Sequence, residues 1–328
     1  MPRDAVLTLT PAGLYCPAGD FHVDPWRPVP RAVITHGHAD HARPGSAAYL
    51  CTPATAPVLR HRLGDVAVQT LAYGAPLGLG GARVSLHPAG HVPGSAQVRI
   101  EVGGEVWVVS GDYKLEDDGL STPFAPLACH VFISECTFGL PVFAWRPQPE
   151  IVAEIMSWVQ EVAAEGRTPV LAAYSLGKAQ RLIAALAPLA PILTHGAIES
   201  TTAALRAHGV PLPETEPATD PKAQRGRLLL VPPAVLGSDW LRRFGPVSTA
   251  VASGWMRLRG VRRRRGADRG FVISDHADWA GLNAAIAATG AERVFVTHGY
   301  TAVFRRWLEA QGLDARVLAT EFMGDDTE

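Results

Sequence analysis

Lysine is almost missing from this chain: 3 residues stand against 27 arginines in a length of 328. The excess of arginine comes with much alanine, proline and glycine, a bias that a GC-rich genome produces, so any single arginine cluster carries reduced weight. Cysteine is also scarce. Cys16, Cys51, Cys129 and Cys136 are scattered, with no C-x-x-C pair. That spacing argues against a disulfide framework and against a structural zinc knuckle, and predicts reduced, mostly buried thiols. No uninterrupted apolar run is long enough to cross a bilayer, so no membrane partner is expected. The stretch Met1-Pro2-Arg3-Asp4-Ala5-Val6 lacks the charged, apolar and cleavage regions of a signal peptide, which makes a cytoplasmic location the expectation. Neither an internal repeat nor a low-complexity segment is evident.

What remains is the composition of a globular protein, 47% hydrophobic and 19% charged with a net charge of -1. The length allows about two domains. The most informative segment is His36-Gly37-His38-Ala39-Asp40-His41, directly after the apolar run Arg31-Ala32-Val33-Ile34-Thr35. Imidazole and carboxylate are the usual donors for zinc and neighbouring divalent metals. One tight loop cannot aim all four groups at a single ion without strain. The pattern suits two adjacent ions and hydrolytic chemistry.

Several further short β-type runs end in a ligand or proton-transfer residue. The run 83–90 leads into His91, 106–111 into Asp112, 130–134 into Glu135, 271–274 into Asp275-His276, and 293–297 into His298. Polar groups at strand ends sit at the rim of a sheet, and ends on one edge converge in one cleft. The middle of the chain reads differently. An amphipathic helix is predicted over 149–165, with Ile151, Val152, Ile155, Trp158, Val159 and Val162 on one side. A strand–turn–helix unit follows through Tyr174-Ser175-Leu176-Gly177-Lys178, the helix ending at or just before Ala187 because Pro188 cannot continue it. A strand at 191–194 and a helix near 199–208 complete a βαβα rhythm, which suggests a small α/β domain inserted into a β-rich one.

His36, His38, Asp40, His41, His91, Asp112 and His298 form an ordered set that resembles that of the metallo-β-lactamase fold. Within that fold the chain resembles the β-CASP nucleases, and more narrowly the ligase-associated DNA exonucleases of bacteria. The supporting motifs include Gly90-His91-Val92-Pro93-Gly94-Ser95-Ala96, Ser110-Gly111-Asp112-Tyr113-Lys114 and Ser134-Glu135-Cys136-Thr137-Phe138-Gly139. They continue with Tyr174-Ser175-Leu176-Gly177-Lys178-Ala179-Gln180, Ser253-Gly254-Trp255-Met256 and Ser274-Asp275-His276-Ala277-Asp278. The resemblance implies an α/β fold, a metallo-β-lactamase αββα sandwich with an inserted small α/β (β-CASP) domain. The expected parts are 1–145 and 253–328 for the sandwich and 146–252 for the insertion.

The resemblance also implies roles. His36, His38 and His91 would hold one divalent ion, Zn or Mn. Asp40, His41 and His298 would hold a second, with Asp112 bridging both. Glu135 would orient His276, which would contact the scissile phosphate and protonate the leaving oxygen. An early aspartate braces the metal loop; Asp20 and Asp24 compete for that place, and Asp24, at what reads as a strand end, is preferred. Asp275 and Asp278 are expected to cap the helix that begins near Trp279. His22, His61, His87, His130, His195 and His208 are expected to be packing or surface residues.

Substrate class rests on weaker signals. Arg257, Arg259, Arg262, Arg263, Arg264, Arg265 and Arg269 crowd one stretch, a local positive field suited to phosphates. Ser175 and Lys178 sit in a strand–helix turn of the kind that offers N–H groups to an anion. The expectation is a metal-dependent DNA exonuclease, active in DNA repair and partnered by a DNA ligase and a helicase as the resemblance implies. A β-CASP ribonuclease shares the same chemistry. A non-catalytic nucleic-acid scaffold is disfavoured because every expected ligand is present. A lactonase or thioesterase on this fold would leave Glu135, His276 and the insertion without a purpose.

Overall fold

A computed structural model describes residues 5–260 and 266–320. The described residues divide into two compact units, 5–143 with 276–320, and 144–260 with 266–275. Arg262, Arg263, Arg264 and Arg265 of the arginine run lie outside the described residues.

The first unit begins with the six strands β1 (Thr8–Thr10), β2 (Gly13–Cys16), β3 (Phe21–Val23), β4 (Ala32–Val33), β5 (Tyr49–Cys51) and β6 (Val68–Thr70), with helix α1 (Ala56–Leu63) before the last. They form one sheet in sequence order, antiparallel from β1 to β3 and parallel from β3 to β6. A second sheet starts with β7 (Leu77–Leu79), β8 (Ala82–Pro88), β9 (Ala96–Val102), β10 (Glu105–Val109) and β11 (Val131–Cys136).

The chain then builds the second unit. It contains α2 (Gln148–Ala164), β12 (Thr168–Ala172), α3 (Lys178–Ala185), β13 (Ile192–Thr194), α4 (Gly196–Arg206), β14 (Thr215–Pro217), β15 (Leu229–Val231), the short α5 (Asp239–Arg242), β16 (Val247–Ala252) and β17 (Arg269–Phe271). On returning to the first unit it forms α6 (Trp279–Thr289), β18 (Arg293–Gly299), α7 (Thr301–Ala310) and β19 (Asp314–Val317). These last strands join the second sheet in the order β19-β18-β11-β10-β9-β8-β7.

Three apolar clusters make the first unit a four-layer αββα sandwich. The inner faces of both sheets meet through Leu14, Phe21, Val23 and Val33 on one side and Val84, Val98, Trp107 and Ile133 on the other. The outer face of the second sheet, Val108, Phe132, Val294 and Val296, is covered by Leu282, Ile286, Phe304 and Leu308 of α6 and α7. The outer face of the first sheet, Ala32, Tyr49 and Cys51, is covered by Ala56 and Leu59 of α1. Alternation along the strands sends successive side chains to opposite layers.

The second unit is a wholly parallel sheet, order β14-β13-β15-β12-β16-β17. Helix α2 buries Ile151, Ile155, Trp158, Val159 and Val162 against it, the stripe that the 3.6-residue period predicts. Each such side chain contributes about 1.5–3 kcal/mol on burial, so packing rather than helix propensity holds α2 in place.

Two expectations about the boundaries change. The return to the sandwich falls between Asp275 and His276, not at 252/253, because β16 and β17 pair with each other in the second unit's sheet. The first crossing falls at 143/144 rather than 145/146. The 271–274 run is likewise not a rim strand of the first unit: β17 belongs to the second. Among the described residues, no helix is long and apolar enough to cross a membrane.

Candidate metal centre

The metal loop follows β4, whose register beside β3 places Val23 opposite Val33. One residue past β3, Asp24 adopts φ 43°, in the left-handed region that side chains with a Cβ seldom occupy. Its carboxylate lies under the loop. It accepts from the Thr35 N–H at 2.8 Å and the Thr35 hydroxyl at 2.6 Å, and sits 2.7 Å from His41 Nδ1. Asp20, also at positive φ, takes the Tyr15 hydroxyl at 2.9 Å. Thr35 is a hub that sequence reasoning missed: its hydroxyl also lies 3.1 Å from His36 Nδ1. With Nδ1 of His36 and of His41 so engaged, Nε2 is the nitrogen each ring turns toward Asp112.

Asp112 reaches the loop from the end of β10. Gly111 at φ 58° makes this approach feasible, since an added Cβ there would fall 2.7 Å from the Thr35 Cβ. One Asp112 oxygen, Oδ2, lies 3.4 Å from His36 Nε2, 3.3 Å from His41 Nε2 and 3.7 Å from His91 Nε2. His91 enters from the turn after β8, where Gly90 at φ 76° runs against the backbone of Lys114. Lys114 and Asp118, also missed from sequence, form a fully buried ion pair at 2.6 Å, and Asp118 accepts from the N–H groups of Leu120 and Ser121. This clasp holds the segment that carries Asp112. Spacing alone offers no signal for Asp118.

His36, His38, His91 and Asp112 each offer one donor atom, all within 4.8 Å of one another. His38 Nδ1 is 3.0 Å from His36 Nε2 and 3.1 Å from His91 Nε2. A tetrahedral ion with metal–nitrogen bonds of about 2.0–2.1 Å sets its ligand nitrogens about 3.3 Å apart, so the donor set fits a divalent metal. Asp40 and His41 lie 3.6 Å apart, and the rings of His41 and His298 are 5.7 Å apart between centroids. His298 has φ 56° and is the residue skipped in the β11/β18 register, between Thr297 opposite Glu135 and Gly299 opposite Cys136.

The surroundings act differently on the histidines of this centre. Burial, then the neighbouring His41, hold the His36 pKa well below its usual value, leaving a neutral imidazole, the form that binds metals. Burial also opposes charging His41, yet Asp112, Asp40 and Asp24 together outweigh it and raise that pKa well above normal. Burial likewise disfavours the Asp112 carboxylate, but His41, His276 and His36 reverse this and keep it ionised. Burial and His41 lower the His298 pKa.

Beside this cluster Glu135, in β11, holds His276. Both carboxylate oxygens lie 2.8 Å from His276 Nδ1, and the same carboxylate accepts from the Tyr113 N–H at 2.8 Å and the Thr137 hydroxyl at 2.5 Å. Glu135 and His276 are both buried, and the ring of His276 lies 4.7 Å from that of His91. Asp112, Glu135 and His276 form a second group with donor atoms within 4.8 Å. Asp278 caps α6, accepting from the Gly281 N–H at 2.8 Å. Asp275 does not share that capping. It is buried in the second unit against Arg181 at 3.2 Å and Lys178 at 3.9 Å, because two cations there need a counter-charge.

The remaining predicted residues belong to the second unit. Lys178 is buried with its ammonium directed to Asp275, not displayed to solvent. The Gly177 N–H in the same turn donates to Gln180 Oε1, and the Ser175 carbonyl accepts from the Gln180 amide. Arg257 and Arg259 are exposed. Among the other histidines, His22 lies 3.2 Å from the Thr10 hydroxyl, His87 2.9 Å from that of Ser85, and His130 accepts from the Val106 N–H.

No family model matches the chain. It is 32% identical over 307 residues to a protein of Opitutus terrae named as a probable DNA ligase, a match covering 92% of this chain and 30% of that protein. It is 30% identical over 118 residues to Endoribonuclease YSH1 of Candida albicans, covering 35% of this chain and 13% of that one. It is also 30% identical over 130 residues to a ribonuclease of Thermus thermophilus, covering 39% and 28%. The chain thus spans less than a third of the length of these relatives. A crystal structure of an Enterococcus faecalis protein of unknown function superposes with a TM-score of 0.55 at 12% identity, covering 90% of this chain and 80% of that one, and shares the fold. The relatives named as nucleases point to a metallo-β-lactamase/β-CASP nuclease family, with which the αββα sandwich and the His/Asp cluster able to hold metal are consistent.

Proposed function

We propose that the chain is a metal-dependent DNA exonuclease, acting in DNA repair. The observation that carries a phosphodiesterase reading is the Glu135–His276 pair set against the His/Asp cluster: a metal-binding donor set and a proton-transfer group share one buried site. His36, His38 and His91 would hold one ion, Asp40, His41 and His298 a second, and Asp112 both; Zn or Mn suits these N/O donors. Two such ions, when bound, supply Lewis acidity and an activated water for in-line displacement at phosphorus.

The chain's own groups do the rest. Asp24 fixes the loop through Thr35 and His41. Glu135 engages Nδ1 of His276, which leaves Nε2 to carry the proton given to the leaving oxygen. Arg257 and Arg259, with Arg262, Arg263, Arg264 and Arg265, would meet phosphates without reading sequence. Ser175 and Lys178 would act on the phosphates through the turn they shape rather than through a displayed charge. The ligase-named relative supports DNA as substrate and a DNA ligase as partner; a helicase partner rests on the family resemblance alone. The ribonuclease names favour RNA as the second reading.

End-labelled single- and double-stranded DNA and RNA, each with Mn²⁺, Mg²⁺ or Zn²⁺, separate these readings. A ladder of DNA products that survives excess RNA is expected. Cleavage of RNA alone overturns the DNA reading, and cleavage of neither overturns both. Asp24→Asn tests the loop brace. Neutralising a carboxylate that orients a ligand typically weakens metal binding about 10–100-fold. Chelator competition against the wild type should show that loss, with the fold intact by circular dichroism. Unchanged affinity would remove Asp24 from the site.

A further inference from the structure

A hollow opens beside the metal loop, and its apolar side has no part in the chemistry described so far. It lies at the carboxyl ends of β10 and β18, the end of a parallel sheet region where ligands gather. Its lining is of two kinds. Asp40, His41 and His298 come from the metal centre; Leu14, Trp26 and Leu318 are apolar.

Trp26 is the distinctive member of that lining. It is half-buried, and its backbone is tied on both sides: its N–H donates to the Ala12 carbonyl at 2.9 Å and its carbonyl accepts from Arg43 Nη1 at 3.4 Å. These bonds fix the backbone that carries the indole, and one ring atom of Trp26 lies near Gly13, 3.6 Å from where a Cβ there would stand. Leu14 and Leu318 are buried. Metal-bearing groups next to an aromatic, apolar recess match the two halves of a nucleotide, an anionic phosphate and a flat base.

We infer that this hollow seats the base of the nucleotide at the strand end, stacked on Trp26 while its phosphate meets the metal loop. The inference deepens the nuclease reading and rests on it. Every base has a π-face, so stacking on one aromatic ring accepts all four. The seat therefore demands a base without selecting its identity.

The test compares two oligonucleotides that differ only at the terminal nucleotide, one with its base and one abasic. Calorimetry on the metal-loaded protein compares dAMP with deoxyribose 5-phosphate in parallel. Stacking on an aromatic ring is worth roughly a ten- to hundredfold preference. The wild type should show that preference for the base-bearing ligand in both kcat/KM and affinity. Trp26→Ala should bring both ratios toward one with metal content retained. Thr320→Trp, which fills the hollow from a half-buried position, should do the same if Trp26→Ala fails to fold. Equal use of abasic and natural ends with equal affinities overturns the seat and leaves the nuclease reading standing. Trp26-dependent preference for dAMP in a protein that cuts no strand supports the seat and overturns the nuclease reading instead.

Discussion

Asp112→Ala is expected to abolish cleavage and to strip metal from the protein. The Asp112 Oδ2 atom stands within 3.3–3.7 Å of nitrogens from His36, His41 and His91, so one carboxylate serves the whole cluster. Its removal takes away negative charge that cations at this site require. Metal-borne charge stabilisation is worth several kcal/mol, and about 1.4 kcal/mol corresponds to tenfold in rate, so the loss should exceed about a thousandfold. Metal content by atomic emission should fall along with activity. Asp112→Asn separates charge from shape: it keeps the side chain's volume and should lose nearly as much. The mutant proteins should still melt cooperatively, because the Lys114–Asp118 clasp and the sandwich core do not depend on Asp112. Full activity in Asp112→Ala would remove the cluster from the reaction.

His276→Ala should lower cleavage by about 10²–10⁴-fold, the usual contribution of a positioned general acid, with metal content unchanged. The reason is geometric. Both oxygens of Glu135 hold Nδ1 of His276 at 2.8 Å, the arrangement of an oriented proton carrier. Yet Asp112, Glu135 and His276 also bring donor atoms within 4.8 Å of one another, a spacing open to a metal. Metal analysis therefore decides the role. Loss of an ion in His276→Ala would make it a ligand. Retention of both ions with a large fall in kcat would make it the acid. Glu135→Gln should follow His276→Ala in direction with a smaller effect, since it removes the orienting charge and keeps the imidazole.

The His/Asp cluster was legible because its members are local. His36, His38, Asp40 and His41 lie within one turn of chain, and the ends of β8, β10, β11 and β18 announce His91, Asp112, Glu135 and His298 by strand pattern alone. Helix α2 was legible for the same reason, its apolar period being written in consecutive residues. Legibility failed where partners are distant. Asp275 reads as a helix cap from its neighbours, but Arg181 claims it from 94 positions away. Near the same place, β17 runs toward His276 in sequence while its hydrogen bonds commit it to β16.

The amino-acid sequence by itself determined the members of the His/Asp cluster, the strand ends that present them and the α/β composition of the second unit. Short-range pattern suffices for these, since ligand type and side-chain alternation are properties of a few adjacent residues. The tertiary structure alone decided how Asp24 reaches the loop, what clasps the Asp112 segment, and which cations Asp275 neutralises. Asp20 precedes β3 and Asp24 follows it; the β3/β4 register sets Asp24 beside Thr35 and His41, while Asp20 takes the Tyr15 hydroxyl. Such choices depend on backbone direction and on packing between segments far apart in the chain, and no local pattern encodes either.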